Sequence, residues 1–367
     1  MNIEILGAES LGVRGLACVV RTGGQTVVID PGVALGYRRF GLPPHPVQIA
    51  AGKVVRAKIV AALGDATDVV ISHFHGDHIP LADANPFQLP LAPVVPQLRR
   101  TRVWMHGSDG LSPKMIKRRR SIETAVGRAL PPANGLTEGA LTFSKAVPHG
   151  RRGQGLGTVM MTRVSGTGTV FVHASDIQLL DNGAIDAILE WEPDVVLASG
   201  PPLYRQLVSI EEPGWERYRS RGSRACSFCA IEKGHRSHGG GLSHAAQARP
   251  QPVLSAWGSA SGTVTKITGT VPFPGGNRLQ APEVQLAWNN ALRLAGNVET
   301  LILDHHLLRS LEGEAFLYEL SQAVGHRVWC AADFMARPRT LLEARRRELY
   351  RDRPVAVGGH DAGTVYA

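Results

Sequence analysis

Short apolar runs separated by turn residues open the chain. Ile3 to Leu6, Leu16 to Val20 and Thr26 to Ile29 read as successive strands, the last two joined through Arg21-Thr22-Gly23-Gly24, so a β-meander is expected to begin the fold. Val54 to Leu63 places apolar residues at helical spacing and leads through Gly64-Asp65 into Asp68-Val69-Val70-Ile71-Ser72, a short buried strand. Thr158 to Val164 and Thr169 to Val172 are β-rich and are separated by Ser165-Gly166-Thr167-Gly168, a hairpin signal. Ile185 to Trp191 then reads as a helix, Val195 to Ala198 as a buried strand, Ala287 to Ala295 as a helix and Leu301 to Leu303 as a strand. This order predicts an α/β protein with strands and helices mixed on both sides of its sheets.

From about Gln206 to Glu283 the periodicity is lost. Stretches such as His238-Gly239-Gly240-Gly241 and Arg249-Pro250-Gln251-Pro252 bury too little apolar surface to offset the entropy of ordering them. Residues 206–284 are therefore expected to be an insertion of low order, dividing one domain into a first part, 1–205, and a last part, 285–367. Within it, Cys226-Ser227-Phe228-Cys229 with His235, His238 and His244 offers the donors of a small structural zinc site, though at shorter intervals than a zinc finger shows.

A chain of 367 residues with 43% hydrophobic content can bury a sizeable core. The first residues, Met1 to Gly7, lack a basic region followed by a long apolar run, and four scattered cysteines make no disulfide framework. The expectation is a soluble, cytoplasmic protein without a membrane partner. Charge adds something more specific. Of the net +9, the stretch from Gln97 to Arg128 supplies +7, with nine Lys/Arg against Asp109 and Glu123. Such a stretch is either the solvated face of a helix or, beside a reactive site, an attraction for phosphate-bearing substrates.

The chemistry concentrates at His73-Phe74-His75-Gly76-Asp77-His78, which puts three imidazoles and a carboxylate at the end of an apolar strand. Gly76 lets the backbone turn tightly enough for these side chains to converge on a metal ion. Further donors recur just past later apolar runs: His149 after Phe143 to Pro148, Asp176 after Val170-Phe171-Val172, and His305 and His306 after Leu301-Ile302-Leu303. A single His or Asp at a strand end is more often a cap than a ligand, so their weight comes from the set.

The order of that set resembles the metallo-β-lactamase-fold metallohydrolases. Gly7 to Gly15, Ile29-Asp30-Pro31-Gly32-Val33-Ala34-Leu35-Gly36, Ile71 to Ala84, His173 to Gln178 and Asp304 to Arg309 resemble an uncharacterised, mostly archaeal family of predicted hydrolases within that superfamily. The resemblance covers Met1 to about Tyr204 and about Ala287 to the end of the following helix. It implies an αββα sandwich, two mixed sheets flanked by helices. It implies a first metal site of His73, His75 and His149, a second of Asp77, His78 and the last histidine, and Asp176 as the bridge between them. His305 ranks ahead of His306 for the last position, and Asp30 orients an imidazole from behind or caps the turn before Pro31.

Two divalent ions, zinc by donor type, would then activate water for hydrolysis of a phosphodiester or another small anionic ester or lactone. Asp77 is the expected proton acceptor, with His306 or His173 as proton donor to the leaving group. Arg14, Arg118, Arg119, Arg120 and Arg309 are the expected cations for an anionic substrate, and His45 either rims the cleft or lies exposed in its loop. Alternatives are an RNA- or DNA-processing nuclease of the same fold, though no nucleic-acid module is recognisable, and a non-catalytic metal-binding protein.

Overall fold

In the computed structural model, which describes residues 1–166, 168–204 and 282–355, the apolar runs pair into two mixed sheets. The first has the order β1 (Asn2–Ile5), β2 (Cys18–Thr22), β3 (Gln25–Ile29), β4 (Asp68–Ile71), β5 (Arg102–Met105). The meander β1-β2-β3 is antiparallel, and β4 and β5 continue it in parallel. In the second sheet β6 (Thr137–Glu138), β7 (Leu141–Pro148), β8 (Thr158–Gly166) and β9 (Thr169–Ser175) are antiparallel, while β10 (Val195–Ala198) and β11 (Thr300–Leu303) extend β9 in parallel. The expected insertion and its Cys226/Cys229 zinc candidate lie outside the described residues, except that the next helix already begins at Pro282, inside the expected boundary.

Side-chain alternation shows why β9, β10 and β11 are apolar throughout. Phe171, Leu197 and Ile302 point into a core shared with Ile5, Leu16, Val20, Val27 and Ile29 of the first sheet. Their neighbours Val172, Val196 and Leu301 point the opposite way, into a core shared with helices. Those helices are α4 (Asn182–Leu189), α5 (Pro282–Ala295) and α6 (Glu312–Val324), which contribute Ile185, Trp288 and Phe316 among others. Each fully buried side chain of this size contributes about 1.5–3 kcal/mol. α1 (Pro46–Gly64), α2 (Val95–Arg100) and α3 (Pro113–Val126) belong to the half of the chain that builds the first sheet. The short α7 (Ala331–Phe334) and α8 (Arg346–Asp352) follow α6. No described helix is long and apolar enough to cross a membrane.

One helix start corrects the sequence reading, and a second bears on the basic stretch. His45 is buried rather than exposed or at a cleft rim. It caps α1, its Nδ1 accepting the Val47 N–H at 3.3 Å while Gln48 Oε1 accepts the His45 N–H at 3.0 Å. α3 carries most of the basic stretch, capped by Ser112 with Pro113 in its first turn. Lys114, Lys117 and Arg120 are exposed on it, so they form a solvated face. Arg119 is structural: it pairs with Glu123 at 2.7 Å and donates to the carbonyls of His106 and Leu130.

The carboxyl ends of β3, β4, β9 and β11 carry Asp30, the His73 loop, Asp176 and His305. In sheets of this kind, strand ends of the same sense hold side chains rigidly while leaving them reachable. Close backbone approach fixes the His73 loop from behind. A Cβ on Gly32 would lie 2.2 Å from His78 C and Ile79 N, with no flexible side chain able to yield. Gly32→Ala is therefore expected to destabilise the fold by about 3 kcal/mol, the upper range for overpacking. An unchanged urea midpoint would show that these two backbone segments can separate freely.

Candidate metal centre

Each imidazole of the centre is set by what stands behind it. His73 is fully buried, with Nδ1 2.9 Å from the Ser72 hydroxyl, which itself donates to Asp30 Oδ2 at 2.6 Å. The hydroxyl therefore accepts the Nδ1–H, and Nε2 is left with a free electron pair. His78 Nδ1 is 3.0 Å from the same oxygen, Asp30 Oδ2, so it too turns Nε2 inwards. Asp30 also accepts the Ser72 N–H at 2.8 Å and the Ser175 hydroxyl at 2.8 Å. Holding that carboxylate in place requires left-handed backbone at Asp30, φ 48°, and at Ser175, φ 52°. His149 Nδ1 is 3.3 Å from the Gln178 amide, whose Oε1 is otherwise buried without a partner. Turning that amide over would give the Nδ1–H an acceptor and Gln178 Oε1 a partner.

Asp176 sits at the middle. Its Oδ2 lies 3.1 Å from His149 Nε2, 3.5 Å from His73 Nε2 and 3.0 Å from His306 Nε2. Its Oδ1 lies 3.2 Å from His78 Nε2 and 3.7 Å from His305 Nε2. His73 Nε2 and His75 Nδ1 are 3.1 Å apart, and His305 Nε2 is 3.3 Å from Asp77 Oδ2. The donor atoms thus fall into groups, each within 4.8 Å: His73, His75, His149 and Asp176 in one, and Asp77, His78 and His305 in another. Asp176 also groups with His305 and His306, and Asp30 with His73 and His78.

The electrostatics suit a cation. Burial, then the neighbouring imidazoles, lowers His75 to about 2, and burial with the charge of His78 lowers His73 to about 4. Burial and the Arg309 guanidinium bring His305 down to about 4. These rings are neutral at neutral pH, the form that binds metal. Burial would raise Asp77 and Asp176, but the hydrogen bond from His305 in the first case and the charge of His78 in the second outweigh it, and both are held well below the carboxylate range. His78 is the exception: burial lowers it, yet Asp176 and Asp30 together raise it well above the histidine range. It lies between two carboxylates, and a divalent ion would compete with a proton for its inward nitrogen. His78 Nε2 and Asp176 Oδ1 are both buried without a hydrogen-bond partner. Orphaned donor atoms facing one another, in a set of imidazoles and carboxylates, fit a divalent metal ion.

Other expected residues fall elsewhere. His173 is fully buried, and its Nε2 donates to the Leu16 carbonyl at 2.9 Å, so it does not reach a leaving group in the cleft. Arg14 is committed to Glu343 at 2.5 Å, and Arg118 donates to the Phe74 carbonyl at 2.9 Å, bracing the His73 loop. Arg309 does reach the centre, with Nη2 3.2 Å from Asp77 Oδ2. Tyr204 was not anticipated: its hydroxyl is 3.3 Å from His306 Nδ1 and its ring is stacked on that imidazole at 11°. Ser72, Ser175 and Gln178 were likewise unanticipated, although Ser72 adjoins the histidine cluster and Gln178 follows Asp176 closely.

Comparison with known proteins accords with this architecture. The family model of the Metallo-beta-lactamase superfamily matches residues 12–178. A UPF0282 protein of Methanosarcina mazei is 42% identical over 362 residues, covering 99% of this chain and 96% of the relative. One of Pyrococcus abyssi is 37% identical over 213 residues, covering 56% of this chain and 69% of its own. Among solved structures, the isothiocyanate hydrolase from Delia radicum gut bacteria has a TM-score of 0.35 at 15% identity, covering 54% of this chain and 70% of that one. Zn(2+)-bound PqqB from Methylobacterium extorquens has a TM-score of 0.32 at 12% identity, covering 54% and 72%. By its identity and coverage with the Methanosarcina relative, the chain belongs to the UPF0282 family, with the two mixed sheets, flanking helices and strand-end histidines of the metallo-β-lactamase fold.

Proposed function

We propose that the protein is a metal-dependent hydrolase that works with two divalent ions, zinc by donor chemistry, on a phosphodiester or another small anionic ester or lactone. One observation carries this reading: Asp176 turns one oxygen to His73, His149 and His306 and the other to His78 and His305, as a carboxylate shared by two cations would. The chemistry that divalent ions supply when bound in such a set is a water made acidic near neutrality and a polarised acceptor oxygen.

The chain's own residues do the rest. The Asp77 side chain is ionised and partly exposed, so its carboxylate can accept a hydrogen bond from water entering the cleft, the position from which it would take up the proton in the reaction. His306 keeps Nδ1 towards the Tyr204 hydroxyl and Nε2 towards Asp176, so a proton for the leaving group comes from the Tyr204–His306 side, with His173 excluded by its position. Arg309 and Arg39 flank the Tyr204 ring at 5.7 and 5.6 Å, which makes that side of the centre cationic and suited to an anionic substrate.

The test is an activity screen of metal-reconstituted protein against phosphodiester, lactone, thioester and RNA panels. The expected result is turnover of a small phosphodiester or lactone that is lost with chelator and restored by zinc. Turnover of RNA alone, with a steep salt dependence, would favour the nuclease reading instead. Metal uptake without turnover of any panel member would overturn the hydrolase reading.

A further inference from the structure

One donor group already faces a cation of the chain's own. Arg309 closes the short turn Leu307–Arg309 after β11 and is 8% exposed. Its guanidinium is held from the far side: Nε donates to Glu9 Oε1 at 3.0 Å and Nη1 to the Tyr204 hydroxyl at 3.3 Å. Nη2 is thereby directed at the centre, 3.2 Å from Asp77 Oδ2 and 2.6 Å from His305 Nε2. The other group is different. The hydrogen bonds and ion pairs of His73, His75 and His149 are to Ser72, Gln178, Asp176 and one another, with no guanidinium among them.

The wiring of His305 points the same way. His73 and His78 each give their Nδ1–H to an acceptor, the Ser72 hydroxyl and the Asp30 carboxylate, which frees Nε2. His305 is placed differently: its Nδ1 lies 3.1 Å from the Gly15 N, and its inward Nε2 lies 2.6 Å from Arg309 Nη2 and 3.3 Å from Asp77 Oδ2. The nitrogen that a second ion would need is thus already faced by the guanidinium, which can only donate.

We propose that the two donor groups bind divalent ions with unequal affinity, and that Arg309 sets the difference. His73, His75, His149 and Asp176 hold one ion tightly. Asp77, His78 and His305 accept a second only when it displaces Arg309 from Asp77 and His305. A fixed positive charge within hydrogen-bonding distance of two ligands opposes a second dication through Coulomb repulsion in a buried site. The inference rests on the metallohydrolase reading above and deepens it: at limiting metal, the protein carries one ion and a guanidinium side by side.

The experiment is zinc titration of the full-length, metal-stripped protein against a chromophoric chelator. Wild type is expected to show two dissociation constants separated by at least about 100-fold. In Arg309→Leu the second constant should tighten by at least about tenfold with the first unchanged, while Arg309→Lys, which keeps the charge, should stay near wild type. Because Arg309→Leu leaves Glu9 buried without its partner, the double variant Glu9→Gln, Arg309→Leu gives the same comparison if the single variant does not fold. Two wild-type constants within about threefold of each other, or a folded leucine variant with the wild-type separation, would overturn the inference while leaving the metal centre intact. Absence of zinc uptake at either group would overturn the metal-centre reading and this inference together.

Discussion

Asp176→Asn is expected to empty both donor groups and to lower hydrolysis by at least about 100-fold. The reason lies in how the two carboxylate oxygens are shared. Oδ2 serves the side of His73 and His149 and Oδ1 the side of His78 and His305, whereas Asp30 meets His78 from behind, at Nδ1. An amide of the same shape replaces one of those oxygens with a donor, aimed at imidazole nitrogens that must themselves present electron pairs to a cation. It also removes the negative charge around which the imidazoles crowd. Elemental analysis of the variant, purified without chelator and reconstituted with zinc, reads the first effect, and the rate on the substrate found by screening reads the second. Full zinc content in the asparagine variant would show that Asp176 is not the shared ligand.

Asp30→Asn should leave the chain folded and still weaken the centre, by about 10- to 100-fold in metal affinity. Asparagine tolerates the left-handed backbone at this position, φ 48°, better than other uncharged residues, so local strain does not confuse the outcome. What is lost is acceptor capacity. The Ser72 N–H, both serine hydroxyls and His78 Nδ1 all converge on the carboxylate, and an amide has one oxygen for them. Breaking a buried charged pair of this kind costs about 3 kcal/mol in the metal-free protein. A pH signature separates this from general loosening. Burial raises the Asp30 carboxyl, but the hydrogen bond and charge of His78 outweigh it and hold the group below 3.8. Its stabilising contribution is therefore complete above the unfolded-state value and is lost as pH falls towards the folded one. His78, raised above 6.5, contributes in the opposite sense: fully below that value, and less as pH rises through its folded one. Urea midpoints of metal-free wild type should drop on the acid side of about pH 4, and those of the variant should change less there. Matching acid limbs would mean that Asp30 does not carry the pair.

Local signals were the legible ones. Asp68 to His78 could be read as strand and donor cluster because every residue that matters lies within one turn of chain, and the two apolar strands Val195–Ala198 and Thr300–Leu303 announced themselves by composition. β5 stayed hidden because it is only four residues long and offers two buried apolar residues, Val103 and Met105, while Arg102 and Trp104 on the other face spend their polar groups on Asp68 across the sheet. The start of α1 was missed since histidine is a rare cap, and the bond that makes His45 one is invisible in periodicity. The arginines divided for the same reason. Nothing near Arg14 in sequence shows that Glu343 claims it, and nothing near Arg309 shows that Glu9 and Tyr204 aim it at the centre. Helical spacing does predict that basic residues of Pro113–Val126 face solvent, but not that Arg119 folds back onto carbonyls.

Of the residues that form the two donor groups, only His75 and Asp77 have side chains with appreciable access to solvent; His73, His78, His149, Asp176 and His305 are sealed. An ion bound there can leave only past that narrow side or when the strand ends part, so its residence time is governed by opening of the protein more than by ligand bond strength. Exchange between zinc and a competing ion would then be slow compared with folding. The metal found in any preparation would be a record of the medium in which the chain folded, and the order in which ions are offered during refolding would decide the outcome where equilibrium affinities alone would not.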